Sequence, residues 1–314
     1  MGEFVFETAV VFCVFNRLDT TKKVFEKIRE AKPPRLYIVS DAARDSVIGE
    51  KEIVANVRNY IEQNIDWECQ VHKNYAPTNM GCGRRISSGI SWVFETEEQA
   101  IILEDDCVPT QSFFRYCQEM LNYYKSDERI MMISGNNPFS KHYQSEEDYL
   151  FSKVPFIWGW ATWRRAWKLY DYDLKTFPDN KRNKIFKHIF PIKAYWTYMA
   201  EFESLYRHKF DTWDYQLMYA GIIHDKLNIV PAESHVFNIG FYEESTHTSK
   251  SPKWLIQDIK EVVFPIKYRK EIKWDDQFDK QYFITANKHG IIIRIKQLLG
   301  LDVNRSIFEK KKKK

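Results

Sequence analysis

The sequence has few of the features that mark a disulfide-stapled, zinc-binding or membrane-spanning protein. Its five cysteines are odd in number, include no CxxC pair and have no histidine spacing suited to zinc. No uninterrupted apolar run approaches the length that spans a bilayer, and Glu3 and Glu7 interrupt the first apolar run, which argues against a signal peptide. We therefore expect reduced thiols in a cytoplasmic protein.

The chain also lacks the two common glycine-rich phosphate loops. Its one glycine-containing loop of interest, NMGCGRR at 79–85, matches neither a Walker loop nor GxGxxG. Glycines such as Gly81 nevertheless let backbone approach a ligand closely, and Arg84 and Arg85 at a helix start could meet a diphosphate. The alternative is an ordinary turn with solvated arginines.

Positive charge is concentrated at the C-terminus. The chain has a net charge of +4, but residues 288–314 contain nine Lys or Arg against two acids, so the rest is slightly acidic. Within this tail, 290–301 (GIIIRIKQLLGL) places apolar side chains at helical spacing beside the cations. The pattern favours an amphipathic helical tail on an anionic membrane surface, with docking onto the protein's own body as the alternative. An acidic body with a basic tail does not favour nucleic acid as a partner.

Apolar runs of strand length alternate with amphipathic helical patterns through the first 135 residues. Hydrophobic residues make up 44% of the 314-residue chain, which is ample for a core. The runs continue without polar alternation, as is typical of parallel strands buried on both faces; they lie at 9–15, 36–39, 101–103 and 130–133. The pattern predicts an α/β protein with a mostly parallel sheet covered by helices.

The most informative stretch is AIILEDDCVP at 100–109, where a buried strand ends in Glu104, Asp105 and Asp106. Adjacent carboxylates repel one another unless a cation lies between them, and oxygen-rich clusters suit Mg²⁺ or Mn²⁺ together with substrate phosphates. The triplet therefore favours a metal site over an acidic surface turn.

Polar residues follow the other early strands at the same edge of the expected sheet. They are Asn16 and Arg17 after the first strand, Asp41 and Arg44 after the second, and the loop 81–85 after the third. Ligands of open α/β sheets bind beyond the carboxyl ends of the strands. Asp41 could accept a hydrogen bond from a base or ribose, or cap a turn. The convergence of these groups predicts a single site.

The second half of the chain adds aromatic residues and further acids. In 156–167 (FIWGWATWRRAW) we expect Trp163 and Trp167 to be core and Gly159 and Ala161 to line a pocket floor, while tryptophan faces can also stack on sugar rings or bases. Asp214, in TWDYQL, begins an apolar helix. It could be a first-turn acid favoured by the helix dipole or a general base.

With these residues the chain resembles bacterial GT-A-fold glycosyltransferases, the nucleotide-diphospho-sugar transferases related to family two, and more distantly the N-acetylglucosaminyltransferase-I group. The resemblance covers residues 9–248. It is carried by FNR at 15–17, SDAAR at 40–44, NMGCG at 79–83, ILEDDCVP at 102–109, SGNN at 134–137, WGWATWRRAW at 158–167, WDYQ at 213–216, and NIGF…THT ending at 248.

The resemblance implies roles for individual positions. Glu104, Asp105 and Asp106 correspond to the family's DXD-type motif, with Asp106 the metal ligand and Asp105 nearer the ribose. The family's middle residue normally separates two acids, whereas three are contiguous here, which leaves open which two touch the metal. His247 would complete the coordination, and Asp214 would be the catalytic base of an inverting enzyme. The resemblance further implies nucleotide contacts for Asp41 and Arg44 and places Asn16 and Arg17 in the same pocket. The remaining expected nucleotide-sugar contacts are Gly81, Arg84, Arg85, Gly159 and Trp160.

The expected protein is thus a glycosyltransferase that uses Mn²⁺ or Mg²⁺ and a nucleoside-diphosphate sugar, UDP-linked by preference. It would glycosylate a glycan or lipid-linked acceptor at the inner face of the cell membrane. The expected division is a catalytic domain at 1–250, with nucleotide-sugar and acceptor halves meeting near 135, an extension at 251–287 and the tail at 288–314. A nucleotidyltransferase that makes a nucleotide sugar, or a non-catalytic sugar- or membrane-binding module, would have a similar pattern.

Overall fold

The computed structural model describes residues 4–241, 255 and 258–286 of the chain. Its first hundred residues alternate strand and helix without exception. The elements are β1 (Ala9–Val14), α1 (Leu18–Ala31), β2 (Arg35–Ser40), α2 (Glu50–Gln63), β3 (Gln70–Tyr75), α3 (Cys82–Val93) and β4 (Gln99–Glu104).

The next part of the chain contains shorter strands and a group of helices. The elements are β5 (Cys107–Pro109), α4 (Ser112–Tyr123), β6 (Ile130–Ser134), β7 (Tyr149–Ser152), β8 (Trp160–Trp163), α5 (Arg164–Trp167), α6 (Phe177–Asn180), α7 (Lys184–Ile189), α8 (Ile192–Tyr206), α9 (Asp214–Ile223), β9 (Leu227–Pro231) and β10 (Val236–Asn238). A 3-10 turn at Ile239–Phe241 and helix α10 (Asp276–Ala286) complete the described elements.

Eight of these strands form one sheet in the order β3-β2-β1-β4-β8-β6-β9-β7. The strands from β3 to β4 are parallel, as are β6 and β9, whereas β8 and β7 run antiparallel to their neighbours. Because β1, β4 and β6 are apolar on both faces, helices must cover both sides, and these strands are almost completely buried. The α/β fold class expected from the sequence is confirmed.

A second hydrophobic core lies among helices α6 to α10. The sequence predicts only an extension at 251–287, with no role. In the structure, α10 of this segment packs into the second core. Phe278 and Phe283 are fully buried in this core, and α10 contacts α7, α8 and β7. The basic tail and its expected amphipathic helix lie outside the described residues, as does His247.

None of the helices in 4–241 and 258–286 combines the length and apolar composition that crossing a bilayer requires.

Candidate active site at the carboxyl ends of the strands

The parallel register brings four loops to one edge of the sheet. Cys13 of β1 pairs with Val39 of β2 and with Glu104 of β4, and Ser40 of β2 pairs with Tyr75 of β3. Because these strands end at the same level, the loops that follow them meet. The predicted convergence of the groups after β1, β2, β3 and β4 is therefore a property of the fold.

Two of the three consecutive acids are held by one arginine. Arg17 forms an ion pair with the buried Asp105 and donates from Nη1 to Asp106 Oδ2 at 3.0 Å. Asp105 also accepts a hydrogen bond from the Phe15 backbone at 3.3 Å. Burial raises the pKa of Asp105 to about 6; the Arg17 charge opposes this rise and the Asp106 carboxylate adds to it.

The third acid, Glu104, is half-buried, and no hydrogen bond to its carboxylate forms within the described part of the chain. Burial, followed by the charges of Asp106 and Asp105, raises its pKa well above the ordinary value. A carboxylate in this position requires either a proton or a cation to offset its charge.

This donor set fits a divalent cation that is shared with a substrate. Within the described residues, no group of three or more His, Cys, Asp or Glu is close enough to hold a metal alone. Mg²⁺ and related ions, however, are often held by one or two carboxylates, with phosphate oxygens and waters as the remaining ligands. Glu104 and Asp106 are the candidates for such a pair, because each is only half-buried.

The turn after β10 packs directly against Asp106. Strands β5 and β10 pair in antiparallel register, with Asn238 opposite Cys107, and the Ile239 amide donates to the Asp106 carbonyl at 2.8 Å. A Cβ at Gly240 would lie 2.4 Å from Asp106 Oδ2, so a larger residue there would have to displace the Asp106 carboxylate. The chain segment that leads toward His247 therefore starts beside the acids.

Asp41 uses its carboxylate to hold the glycine-containing loop. It accepts hydrogen bonds from the Met80 and Gly81 amides at 3.0 Å and from the Asn79 side chain at 3.2 Å. Its own neighbour Ala42 donates at 2.8 Å. Asp41 thus fixes the loop after β3 to the end of β2, which is the turn-capping alternative considered from the sequence.

Asn16 and Arg44 both bind Glu50, a residue that the sequence did not single out. The fully buried Glu50 carboxylate accepts from Asn16 Nδ2 at 2.8 Å, from the Arg44 amide at 2.7 Å and from the Arg44 guanidinium. Hydrogen bonds from the Arg44 side chain lower the pKa of Glu50 to about 2, although burial opposes the shift. The three residues tie the loop after β1 to the start of α2.

The two arginines at the start of α3 are directed differently from each other. Arg85 is buried and donates to the Asn74 carbonyl and side chain at 2.6 and 2.9 Å. Arg84 lies over the Tyr172 ring at 4.6 Å and 3.6 Å from an Asp173 oxygen. Of the pair, Arg84 is therefore the one that remains accessible to a ligand.

Two expectations for the tryptophan motif need correction. Gly159 has a φ of +60°, and a Cβ there would lie 2.7 Å from Val236 Cγ2. Val236 thus fills the space that was expected to be a pocket floor. Trp160 is 1% exposed and stacks on Trp213 at 5.4 Å, so it packs inside the core and does not present a face to a sugar. The core positions expected for Trp163 and Trp167 are confirmed.

Asp214 lies in the first turn of α9, half-buried and on the side of the acids. Its carboxylate accepts a hydrogen bond from Thr212 Oγ1 at 2.5 Å. Burial raises the pKa of Asp214, and the Thr212 bond opposes this rise. Trp213, the residue before Asp214, stacks on Trp160, whose backbone pairs with Ile102 two residues before Glu104, which places the start of α9 near the end of β4.

Sequence reasoning missed Glu201 of α8, a second half-buried acid near Asp214. Burial raises the pKa of Glu201 to about 7, and the Asp214 charge adds to this rise. It also missed Asp211, which accepts from the Cys82 and Gly83 amides at 2.9 Å. Neither residue has a local signal: Asp211 lies three residues before α9, yet it accepts hydrogen bonds at the start of α3.

Comparisons with known proteins found remote likenesses only. No family model matches the chain, and no curated protein matches it. Among solved structures, the mannosyltransferase PcManGT from Pyrobaculum calidifontis, in complex with GDP-Man and Mn²⁺, aligns at 16% identity and a TM-score of 0.36 over 52% of this chain and 45% of its own. S. aureus TarS 1-349 aligns at 11% identity and a TM-score of 0.39 over 74% and 60%.

A UDP-glucose pyrophosphorylase complexed with UDP-glucose aligns at 12% identity and a TM-score of 0.37 over 74% of this chain and 95% of its own. The chain spans about half of PcManGT and 60% of the TarS fragment. Because all three TM-scores lie below 0.5, these likenesses do not decide what the chain does, and its own residues must.

Proposed function

We propose that the chain is a metal-dependent, inverting glycosyltransferase that moves a sugar from a nucleoside diphosphate, UDP by preference, to a hydroxyl of a glycan or lipid-linked acceptor. One observation carries the proposal. A half-buried acid, Asp214, begins helix α9, and its neighbour Trp213 stacks on Trp160, whose strand pairs with β4 just before the carboxylate of Glu104 at the carboxyl edge of the sheet. A base and a diphosphate-binding group at one site are what glycosyl transfer requires.

Asp214 acts as the general base in this proposal. It takes the proton from the acceptor hydroxyl as that oxygen bonds to the anomeric carbon, and the bond from that carbon to the diphosphate oxygen breaks. The configuration inverts because attack and departure occur on opposite faces of the sugar. A burial-raised pKa suits this role, because it makes Asp214 a stronger base than an exposed aspartate.

Asp106 and Glu104 would hold the cation, with His247 as a further ligand in the proposal. A bound divalent cation would offset the negative charge that develops on the diphosphate as it leaves. Arg17 pairs with Asp105 and with one carboxylate oxygen of Asp106. It leaves Glu104 and part of Asp106 for the cation, and it adds a positive charge near the phosphates.

The basic residues at 288–314 would hold the enzyme on an anionic membrane, where lipid-linked acceptors are found. This part of the proposal is independent of the active site.

A panel of nucleotide sugars, screened by thermal shift with and without Mn²⁺ and then by product analysis, tests the function. We expect stabilisation by one UDP-sugar only when Mn²⁺ is present, and release of UDP with transfer or slow hydrolysis. Release of inorganic pyrophosphate from a nucleoside triphosphate would instead identify a nucleotidyltransferase. If no nucleotide sugar stabilises the protein or is turned over, the proposal is contradicted, and a non-catalytic binding module is the remaining interpretation.

A further inference from the structure

Four consecutive backbone amides, those of residues 80–83, are held by two carboxylates from distant parts of the chain. The first two donate to Asp41 at 3.0 Å, and the next two, of Cys82 and Gly83, donate to Asp211 at 2.9 Å. Asp41 follows β2 in the nucleotide half, whereas Asp211 lies 128 residues beyond Gly83, in the segment before α9. The loop 79–83 is therefore hydrogen-bonded to residues from both halves of the molecule.

Asp211 provides a helix cap that the local sequence does not. The residue before α3 is Gly81, which has no side chain that could bond the free amides of the first turn. The fit is close: a Cβ at Gly81 would lie 2.4 Å from Asp211 Oδ2, and a Cβ at Gly83 would lie 2.5 Å from the Thr212 carbonyl oxygen. Glycines at 81 and 83 allow the segment before α9 to lie directly on the start of α3.

The same short segment fixes the proposed base. Thr212 bonds the Asp214 carboxylate at 2.5 Å, and Trp213 stacks on the buried Trp160 at 5.4 Å. The Trp213 carbonyl accepts from the Tyr170 hydroxyl at 3.1 Å. Each residue from 211 to 213 thus holds the segment at one point, and Asp211 supplies its hydrogen bonds to the loop 79–83.

We propose that Asp211 is a positioning residue for glycosyl transfer: its bonds to the start of α3 set where Asp214 lies relative to the nucleotide-binding loop. This inference rests on the proposed function and deepens it. A displacement of a reacting group by about 1 Å can reduce a rate by roughly a hundredfold. The Asp211 contact should therefore affect turnover much more than it affects nucleotide affinity.

The test compares D211A with D127A, a matched control. Asp127 also accepts from a backbone amide, that of Arg129 at 3.1 Å, but it lies before β6 and away from the site. Turnover is followed as UDP release from the UDP-sugar that stabilises the wild type most, and affinity is measured by calorimetric titration of UDP with Mn²⁺. We expect D211A to lower kcat by about 10- to 100-fold with UDP affinity within about twofold of wild type.

Three results would overturn the proposal: a smaller fall in kcat for D211A, an equal fall for D127A, or a loss of UDP affinity in proportion to the loss of kcat. Each is what a purely structural cap predicts. If D211A does not fold, G83A replaces it. Alanine is favourable in a helix, but here its Cβ would push the Thr212 backbone away. The same separation of kcat from affinity is expected, with S88A on α3 as control.

Failure of the proposed function is recognised separately. If the wild type releases UDP from no nucleotide sugar, the functional proposal is wrong, and hydrogen–deuterium exchange then decides the structural claim. D211A should raise exchange at both 80–83 and 211–216. Unchanged exchange at 211–216 would show that Asp211 does not hold the segment that carries Asp214.

Discussion

Arg17 explains how three consecutive acids are tolerated at the end of one strand. Its guanidinium bonds both Asp105 and Asp106, which offsets most of their mutual repulsion. Glu104 remains without such a partner and has a strongly raised pKa. The triplet is therefore divided into a structurally paired acid, Asp105, and two acids that can still bind a cation.

Replacing the buried Glu50 should remove a contribution to the free energy of unfolding that depends on pH. Because its folded-state pKa is about 2, below the ordinary value of 4.5, the pair stabilises the fold above pH 4.5 and is lost as the pH falls toward 2. Glu50→Gln should lower the free energy of unfolding at pH 7 by about 2 kcal/mol, allowing for solvent screening at the half-exposed Arg44. Urea unfolding at pH 7 and pH 3 measures this.

The difference between wild type and Glu50→Gln should shrink at pH 3, because below pH 4.5 the carboxyl takes up a proton in the unfolded state while it stays mostly ionised in the folded state. Glu52→Gln, an exposed acid on the same helix, is the control and should change stability little at either pH. A difference that is the same at both pH values would contradict the lowered pKa.

Removing the proposed base should separate chemistry from binding. Asp214→Asn keeps the shape and the Thr212 contact but cannot take a proton, so turnover should fall by about 10²- to 10⁴-fold. UDP affinity in the presence of Mn²⁺ should remain close to that of wild type. Steady-state UDP release and calorimetry measure the two quantities, and wild-type turnover in this variant would exclude Asp214 from the mechanism.

At the residue scale, sequence patterns predicted where the polar residues lie better than which residues they contact. Asn16, Arg17, Asp41 and the acids could be assigned to one edge because each follows a buried strand. What each side chain bonds depends on residues far away in the chain. Asp41 bonds amides 39 and 40 positions later, and the space beside Gly159 is filled by Val236. Local spacing contains no information about such contacts.

At the scale of elements, the end of the described chain closes the sheet. β7 is an edge strand whose Phe151 carbonyl accepts from the Asp275 amide at 2.8 Å, and Phe151 donates to the Asp275 carboxylate at 3.1 Å. The fully buried Asp279 accepts from Ser152, from the Lys153 amide at 2.7 Å and from Trp274 at 2.6 Å. These contacts cover an edge that could otherwise pair with another chain.

Truncating the apolar anchor of α10 should therefore destabilise the second core. Phe278 is fully buried against aromatic neighbours, so Phe278→Ala should lower the free energy of unfolding by about 3–5 kcal/mol. Ile284 on the same helix is 51% exposed, and Ile284→Ala should cost less than about 0.5 kcal/mol. Urea denaturation of both variants tests this, and equal small effects would mean that α10 is not needed for the core.

Most strands and the first four helices could be predicted because their apolar periodicity is strong. The buried residues of α3 and α4 recur at helical spacing. The start of α1 is less predictable, because Arg17 occupies the cap position and makes no capping bond. Residues near 258–275 form few regular elements, and their packing against β7 depends on tertiary contacts that periodicity does not reveal.

In the whole molecule, β8 joins the two halves of the sheet. It pairs with β4 on one side and β6 on the other, so the tryptophan motif lies at the junction and is buried for that reason. The site forms where this junction brings the acids of β4 near α9. The role of the basic tail is argued from charge alone and is separable from this arrangement.

Deleting 288–314 should weaken attachment to anionic vesicles and leave UDP release unchanged. The deletion removes nine basic residues, and each Lys or Arg near an anionic surface contributes about 1 kcal/mol. Co-sedimentation with vesicles of phosphatidylglycerol and phosphatidylcholine measures binding, and pure phosphatidylcholine vesicles are the control. Equal binding of both proteins to the anionic vesicles would reject the tail's proposed role.

The most direct test of the whole account is calorimetric titration of UDP into the protein with and without Mn²⁺. Wild type should bind UDP much more tightly when Mn²⁺ is present, and Asp106→Ala should lose that dependence because it removes a carboxylate that shares the cation with the diphosphate. Asp45→Ala, at a highly exposed acid near the same edge, should behave as wild type. Mn²⁺-dependent UDP binding that is unchanged in Asp106→Ala would contradict the account.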